Sequence, residues 1–412
     1  MSLYTGNRTG DVPGNLPDPY YWWEAGAMFG SMVDYWYYTG DSTYNEVTTQ
    51  ALLFQVGPND NYMPPNQSKT LGNDDQAFWG LAALSAAEVN FPNPPPDQPQ
   101  WLALAQAVFN TQAPRWNTET CGGGLKWQIF TFNNGYNYKN AISNGCFFNL
   151  AARLAKYTGN TTYSEWAERA WTWSQNIGMV DQNYFVYDGT DNNKNCSDMN
   201  HLQWSYNAGV YLLGAANMYN ITNGSAIWEE RVKGMMQGIE AFFPDGRNIA
   251  VEVACENNGK CNVDQHSFKA YLARWMTAAT KMAPFITDNV MAKMRASATA
   301  AALQCSGGDN GRWCGLRWQD NATWDGTQGV GQQMAALEVI QSNLIEQVAG
   351  PLTNTTGGTS VGNANAGVGT GNIDDPLATT PATKGDKVGA GFLTTAVLGG
   401  FVGMVWFMIS GT

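Results

Sequence analysis

Two kinds of helical pattern alternate along this chain. Stretches near Trp23–Tyr38, Asp74–Val89, Ala141–Tyr157, Leu202–Tyr219, Gln265–Lys281 and Gly329–Ser342 are rich in Gly, Ala and aromatic residues on every face. Stretches near Thr43–Phe54, Gln100–Thr111, Thr162–Asn176, Ala226–Phe243 and Asp288–Leu303 confine their apolar residues to one side, as in Glu165-Trp166-Ala167-Glu168-Arg169. The first set reads as buried and the second as amphipathic, which is how inner and outer layers of helices differ. A repeated joint connects them: Tyr38-Thr39-Gly40-Asp41-Ser42-Thr43-Tyr44 recurs as Tyr157-Thr158-Gly159-Asn160-Thr161-Thr162-Tyr163, with a looser copy from Tyr219 to Glu229. Gly40 and Gly159 suit a helix terminus that needs positive φ, and Ser or Thr then caps the following helix.

Hairpins of about 60 residues that stack to bury a shared face predict an all-α fold, an (α/α)6 barrel over residues 1–345. The pattern supplies six inner helices and five outer ones, so a sixth outer helix is expected upstream, with Met1 to Asn7 as its tail. An open solenoid would need polar capping repeats, and none is visible. Residues 346–387, rich in Gly, Thr and Asn, are expected to be a disordered linker. Residues 388–412 form an apolar tail with no basic flank after it, and small residues between Asn363 and Asn372 precede a polar spacer with Asp374, Asp375, Lys384 and Lys387. That order matches a glycosylphosphatidylinositol (GPI) attachment signal better than a spanning helix. The first residues have neither a charged n-region nor an apolar h-region.

Composition narrows the partners. A net charge of -12 without clustered Lys or Arg argues against nucleic acid. Aromatic residues nearly as frequent as charged ones, 13% against 14%, leave ring surface for a neutral polymer such as a glycan. Sequons at Asn7, Asn66, Asn160, Asn195, Asn220, Asn223, Asn321 and Asn354, together with close cysteine pairs, point to the secretory pathway. Cys255 with Cys261 and Cys305 with Cys314 close short loops; Cys121, Cys146 and Cys196 allow three choices for one further bridge. With only His201 and His266 and no zinc-type spacing, neither a metal nor another cofactor is expected. Asp191-Asn192-Asn193-Lys194-Asn195 begins like a calcium loop, but Cys196 replaces its glycine. Gly122-Gly123-Gly124 lacks phosphate-loop spacing and is expected to let backbone approach a sugar beside Trp127.

The chemistry centres on Asn73-Asp74-Asp75-Gln76. Asn73 followed by two acids is also an ordinary helix start, so the pair gains meaning from its setting. Retaining glycosidases hold two carboxyls roughly 5 to 5.5 Å apart, one to attack the anomeric carbon and one to protonate the leaving oxygen, and sequence neighbours can meet that distance. In an (α/α)6 barrel the segments entering the inner helices gather at one end. Here they combine aromatics, amides and acids, the mix that sugar sites use. Asp74 and Asp75 are the candidate catalytic residues; the candidate substrate-binding residues are Trp22, Asn73, Gln76, Trp79, Trp127, Asn144, Asp188, Tyr206, Asn207, Asp264, His266 and Gln328.

Four motifs, Trp22-Trp23-Glu24-Ala25-Gly26, Asn73-Asp74-Asp75-Gln76-Ala77-Phe78-Trp79-Gly80, Trp204-Ser205-Tyr206-Asn207-Ala208-Gly209 and Asp264-Gln265-His266-Ser267-Phe268-Lys269, resemble glycoside hydrolase family 76. The resemblance spans about residues 4–345 and points to its fungal GPI-anchored branch, the mannan endo-1,6-alpha-mannosidase-like cell-wall proteins. It implies the (α/α)6 barrel, retaining chemistry on alpha-1,6-mannan, Asp74 as nucleophile and Asp75 as acid/base. For this branch it also implies an alpha-mannan or GPI-glycan donor, a cell-wall polysaccharide acceptor, and attachment to the membrane through a GPI anchor. A non-catalytic mannan-binding surface protein with the same barrel is the alternative from another class; intact Asp74 and Asp75 tell against it.

Overall fold

The computed structural model describes residues 1–320, 323–369 and 384–410. Residues 1–371 form one compact unit and 372–412 a second. In the first, α1 (Trp22–Thr39), α3 (Asn73–Glu88), α5 (Ala141–Thr158), α7 (Ser205–Ile221), α9 (Phe268–Met282) and α11 (Val330–Gln341) pack side by side and close on themselves, α11 against α1. Outside them lie α2 (Asn45–Phe54), α4 (Trp101–Gln112), α6 (Thr161–Asn176), α8 (Ala226–Ile239) and α10 (Thr287–Leu303). This is the (α/α)6 arrangement expected, with five outer helices among the described residues. Met1–Asn7, expected as the tail of a sixth, is a run of turns in which Tyr4 packs edge-on against Phe29 and accepts the Gly14 N–H.

The inner helices are buried on all sides because small residues permit close approach. A Cβ on Gly26 would lie 2.7 Å from the Trp79 ring, and one on Gly145 2.5 Å from Val210. Gly40 and Gly159 end α1 and α5 with φ of 71°. The cap of α6 is Asn160, whose side chain accepts the Thr162 N–H, rather than a following Ser or Thr; α2 starts later than expected, at Asn45, because Asp41 ties Thr43 into the turn. α7 also starts late, at Ser205, where the buried Glu252 accepts its backbone N–H.

A small antiparallel sheet lies at the end where the inner helices begin: β1 (Tyr138–Asn140), β2 (Gly189–Asp191) and β3 (Met199–Asn200), with Lys139 opposite Thr190. The predicted disulfides Cys255–Cys261 and Cys305–Cys314 are present, Cys121 pairs with Cys196, and Cys146 is free and buried.

The expectation of a disordered linker from residue 346 fails over its first half. This stretch is a strap bound to the barrel. Lys281 donates to Val348 O, Leu352 N–H to Glu88 O, and Asn354 N–H to Tyr157 O, all where inner helices end. The strap then follows α4, with Ser360 accepting the Leu102 N–H, Gln106 accepting the Asn363 N–H, and Asn110 donating to Ala364 O and Ala366 O. Its glycines are contact residues: a Cβ on Gly358 would meet Tyr157 at 2.4 Å, and one on Gly362 would meet Leu102 at 2.7 Å. Asn321 and residues 370–383, including Asp374 and Asp375 of the expected spacer, lie outside the described residues. The other sequon asparagines are all exposed. In the second unit, Lys384–Ser410 is one helix, of which Gly389–Ser410 is long and apolar enough to cross a membrane, with mean hydropathy 2.0.

Candidate active site

A cavity of about 560 Å³ opens among the N-terminal ends of the inner helices. Asp74 and Asp75 both line it from the first turn of α3. That turn is fixed to the facing loop, because Asn73 N–H donates to Trp127 O and Gly72 bridges Gln128. Both carboxyls crowd Gly72: a Cβ there would lie 2.3 Å from Asp74 Oδ1 and 3.0 Å from Asp75 Oδ2. Any larger residue would displace the pair.

The two acids have different surroundings. Asp74 is buried; its Oδ1 accepts the Asp75 N–H at 3.0 Å and its Oδ2 accepts Asn140 Nδ2 at 3.2 Å. Burial raises its pKa, and these two donors oppose the rise by favouring the anion. Asp75 keeps part of its surface open, and its Oδ2 accepts the Gly72 N–H at 2.5 Å. Burial pushes its pKa well above the carboxylate range, and the charge on Asp74 adds to the push. The pair can therefore hold one charge and one proton, with the proton on Asp75.

The walls carry further acids and aromatics. Asp264 accepts Trp23 Nε1 at 3.0 Å; Asp188 accepts Tyr138 Oη at 2.6 Å and Asn200 Nδ2 at 3.2 Å. Burial raises the pKa of each. Tyr206 lines the cavity stacked on Phe268, with ring centroids 3.8 Å apart. Trp22 lies over Trp79, and Trp127, 37% exposed, rests against Gly135, where a Cβ would meet its ring at 2.3 Å.

The remaining candidates do not line the cavity. Asn73 faces the frame, donating to Lys126 O and accepting from Arg115, and Gln76 donates to Asn61 O and Thr111. Trp79 is fully buried between Trp22 and Tyr62. Asn144 holds Leu125 through both its N–H and C=O. Asn207 is buried with neither amide atom bonded among the described residues. His266 packs against Gly331, and Gln328 is exposed beyond a loop that Asp325 ties together through Leu316, Arg317 and Thr327. Gly123 and Gly124 pack beneath Trp116 and Trp173 rather than opening toward a sugar. Conversely, Tyr21, Trp23, Lys69, Tyr138 and Asn140 line the cavity and are not among the sequence candidates. Asn140 had a legible signal as the amide that starts α5, where its Oδ1 accepts the Ser143 N–H; its second bond, to Asp74, requires the fold. No cluster of His, Cys, Asp or Glu suited to a metal occurs among the described residues.

Comparison with known proteins agrees with this architecture. The family model described as glycosyl hydrolase family 76 matches residues 1–355. The chain is 48% identical to a mannan endo-1,6-alpha-mannosidase of Saccharomyces cerevisiae, over 96% of this chain and 88% of that one. It is 46% identical to one of Candida albicans, over 99% and 91%. Among solved structures, Dfg5 from Chaetomium thermophilum in complex with glucosamine superposes with a TM-score of 0.86 at 48% identity, covering 89% of this chain and 92% of that one. An inactive variant of a Salegentibacter alpha-1,6-mannanase in complex with alpha-1,6-mannotetrose shares the fold, with a TM-score of 0.65 at 18% identity over 81% and 94%. The closed inner ring with its outer helices, the paired acids at its mouth and these likenesses over nearly the whole barrel identify the chain as a member of glycosyl hydrolase family 76, a glycosidase.

Proposed function

We propose that this protein is a retaining alpha-mannosidase and transglycosidase acting on alpha-1,6-linked mannose, with Asp74 as nucleophile and Asp75 as acid/base. The observation that carries this reading is the unequal pair facing one cavity: a carboxylate supported by Asn140 beside a carboxyl whose proton is favoured by burial and by its neighbour. Asp74 attacks the anomeric carbon while Asp75 gives its proton to the departing oxygen, leaving a glycosyl ester on Asp74 and a carboxylate on Asp75. Asp75 then takes the proton of an incoming hydroxyl, whose oxygen displaces Asp74. Water as acceptor gives hydrolysis; a sugar hydroxyl gives transfer.

The finer reading is transfer from a GPI-linked mannoprotein glycan to a cell-wall polysaccharide. Asp74, Asp75, Asp188 and Asp264 line the cavity and Lys69 is the cation beside them, an acidic lining suited to positive charge developing at an anomeric carbon or carried by an amino sugar. The relative bound to glucosamine is in keeping with that chemistry. The apolar helix Gly389–Ser410 supports a GPI signal and hence a place at the membrane and wall, where local donor concentration would be high. The test is turnover of alpha-1,6-mannooligosaccharides, with product stereochemistry followed by NMR and a glucan oligosaccharide offered against water. Retention, and a transfer product that is lost in Asp74→Asn, is the expected result. Inversion of configuration would exclude the nucleophile role, and glycan binding without turnover in the parent would favour the non-catalytic alternative.

A further inference from the structure

Lys139 has no exposed side-chain surface, yet no carboxylate pairs with it among the described residues. Its Nζ instead donates to Asn117 O at 2.9 Å, Thr120 O at 2.8 Å and Gly123 O at 2.6 Å, with Asn117 Oδ1 at 3.2 Å. Burying an ammonium is costly unless its donors are met, and here the loop 117–123 is folded around it. The same loop is fixed from outside by the Cys121–Cys196 disulfide and by Trp173 Nε1 donating to Cys121 O.

The neighbours of Lys139 make this cage relevant to the cavity. Side chains alternate along a strand, so Tyr138 and Asn140 point away from the loop. Tyr138 bonds Asp188 and accepts the Trp127 N–H on its carbonyl; Asn140 bonds Asp74. One strand thus holds the Asp188 wall, the Trp127 wall and the support of Asp74, and Lys139 fastens that strand to the body.

We propose that Lys139 is a positioning residue for the reaction: its ammonium, seated in the carbonyls of residues 117–123, fixes the register and depth of β1 so that the Asn140 amide stays on Asp74. Burial, together with the charge of Lys126, lowers the Lys139 pKa to about 8, and Glu119 opposes this. The proton is retained at acidic and neutral pH, where the cage is complete.

The inference rests on Asp74 as the nucleophile, and Asp74→Asn assayed in parallel separates the two: activity in that variant would refute the catalytic reading whatever Lys139 does. The experiment measures kcat, KM and the acidic limb of kcat/KM on an alpha-1,6-mannooligosaccharide for Lys139→Met, Asn140→Ala and their combination, each normalised to folded protein by circular dichroism. Loss of one hydrogen bond to a charged group is expected to lower kcat roughly ten- to a hundredfold. The acidic limb is expected at higher pH in both single variants, because Asp74 loses a donor that favours its anion, and the double variant is expected to be no worse than Asn140→Ala. Should Lys139→Met fail to fold, Lys139→Arg carries the test: its planar fork keeps the charge but cannot reproduce three convergent bonds, so a lower kcat and a shifted limb are expected. An acidic limb unchanged in the folded variant, or losses that multiply in the double variant, would overturn the proposal.

Discussion

The two ends of the barrel hold the same kinds of acid under opposite arrangements. At the base, where the inner helices finish, three carboxylates meet two guanidiniums: Arg153 meets Glu88 at 2.7 Å, and Arg274 meets both Asp34 at 2.7 Å and Glu338 at 2.5 Å. At the mouth, Asp74, Asp75, Asp188 and Asp264 line one cavity, and none makes an ion pair among the described residues. The base sets its acids against internal guanidiniums and is covered by the strap. The mouth leaves its charges to amides, a phenol, an indole and the incoming sugar. Buried acids without cations cost stability, which is why they mark the end where chemistry is done.

That contrast can be broken most strongly at Asp74. Asp74→Asn or Asp75→Asn should reduce turnover of alpha-1,6-mannooligosaccharides by about 10² to 10⁴-fold or more, with circular dichroism unchanged. At the base the opposite outcome is expected: Arg153→Met leaves Glu88 buried and unpaired and should destabilise the fold by about 3 to 5 kcal/mol, read as a lower melting temperature, while kcat of the remaining folded enzyme stays the same.

A smaller effect sharpens the comparison through pH. Asp75 has a raised folded-state pKa, so the native chain holds that proton more tightly than the unfolded chain, and stability falls as pH rises from the ordinary Asp value of about 3.9 toward the raised one. Asp75→Asn removes this loss and can still accept the Gly72 N–H. Its melting temperature should equal that of the parent below the window and exceed it increasingly above. The pH–rate profile should be bell-shaped, with activity lost at low pH as Asp74 gains a proton and at high pH as Asp75 loses one. The smallest expected change is at the strap: Ser360→Ala should cost about 1 kcal/mol and speed proteolysis of residues 348–369, without altering kcat.

The helices were legible because burial on all faces and burial on one face leave different residue patterns, and because Gly40 and Gly159 mark the same left-handed helix end. Asp74, Asp75, Tyr206 and Asp264 were legible as acids and an aromatic entering inner helices, and Asp188 as an acid on a loop between repeats. Trp79, a turn deeper in α3, packs between Trp22 and Tyr62; Asn73 and Gln76 lie off the cavity for a rotational reason: each residue advances about 100° around α3, so the immediate neighbours of the pair face the packed frame. Asn207 and Asn144 fall inward likewise. The grip of Asn140 on Asp74 joins segments 66 positions apart, and only their meeting at the rim reveals it. Composition makes the strap resemble a linker, because glycines signal looseness, whereas Gly358 and Gly362 are there for contact.

Ser360 holds the first turn of α4 and Asn110, near its last, holds Ala364 and Ala366, while Gln112 at the end of α4 donates to Asn73 O beside the paired acids. The polypeptide therefore climbs most of α4, about 12 Å from Leu102 to Asn110. Ala366 is thereby held near the height of the opening rather than at the base, so the strap joins the two ends of the barrel along one flank.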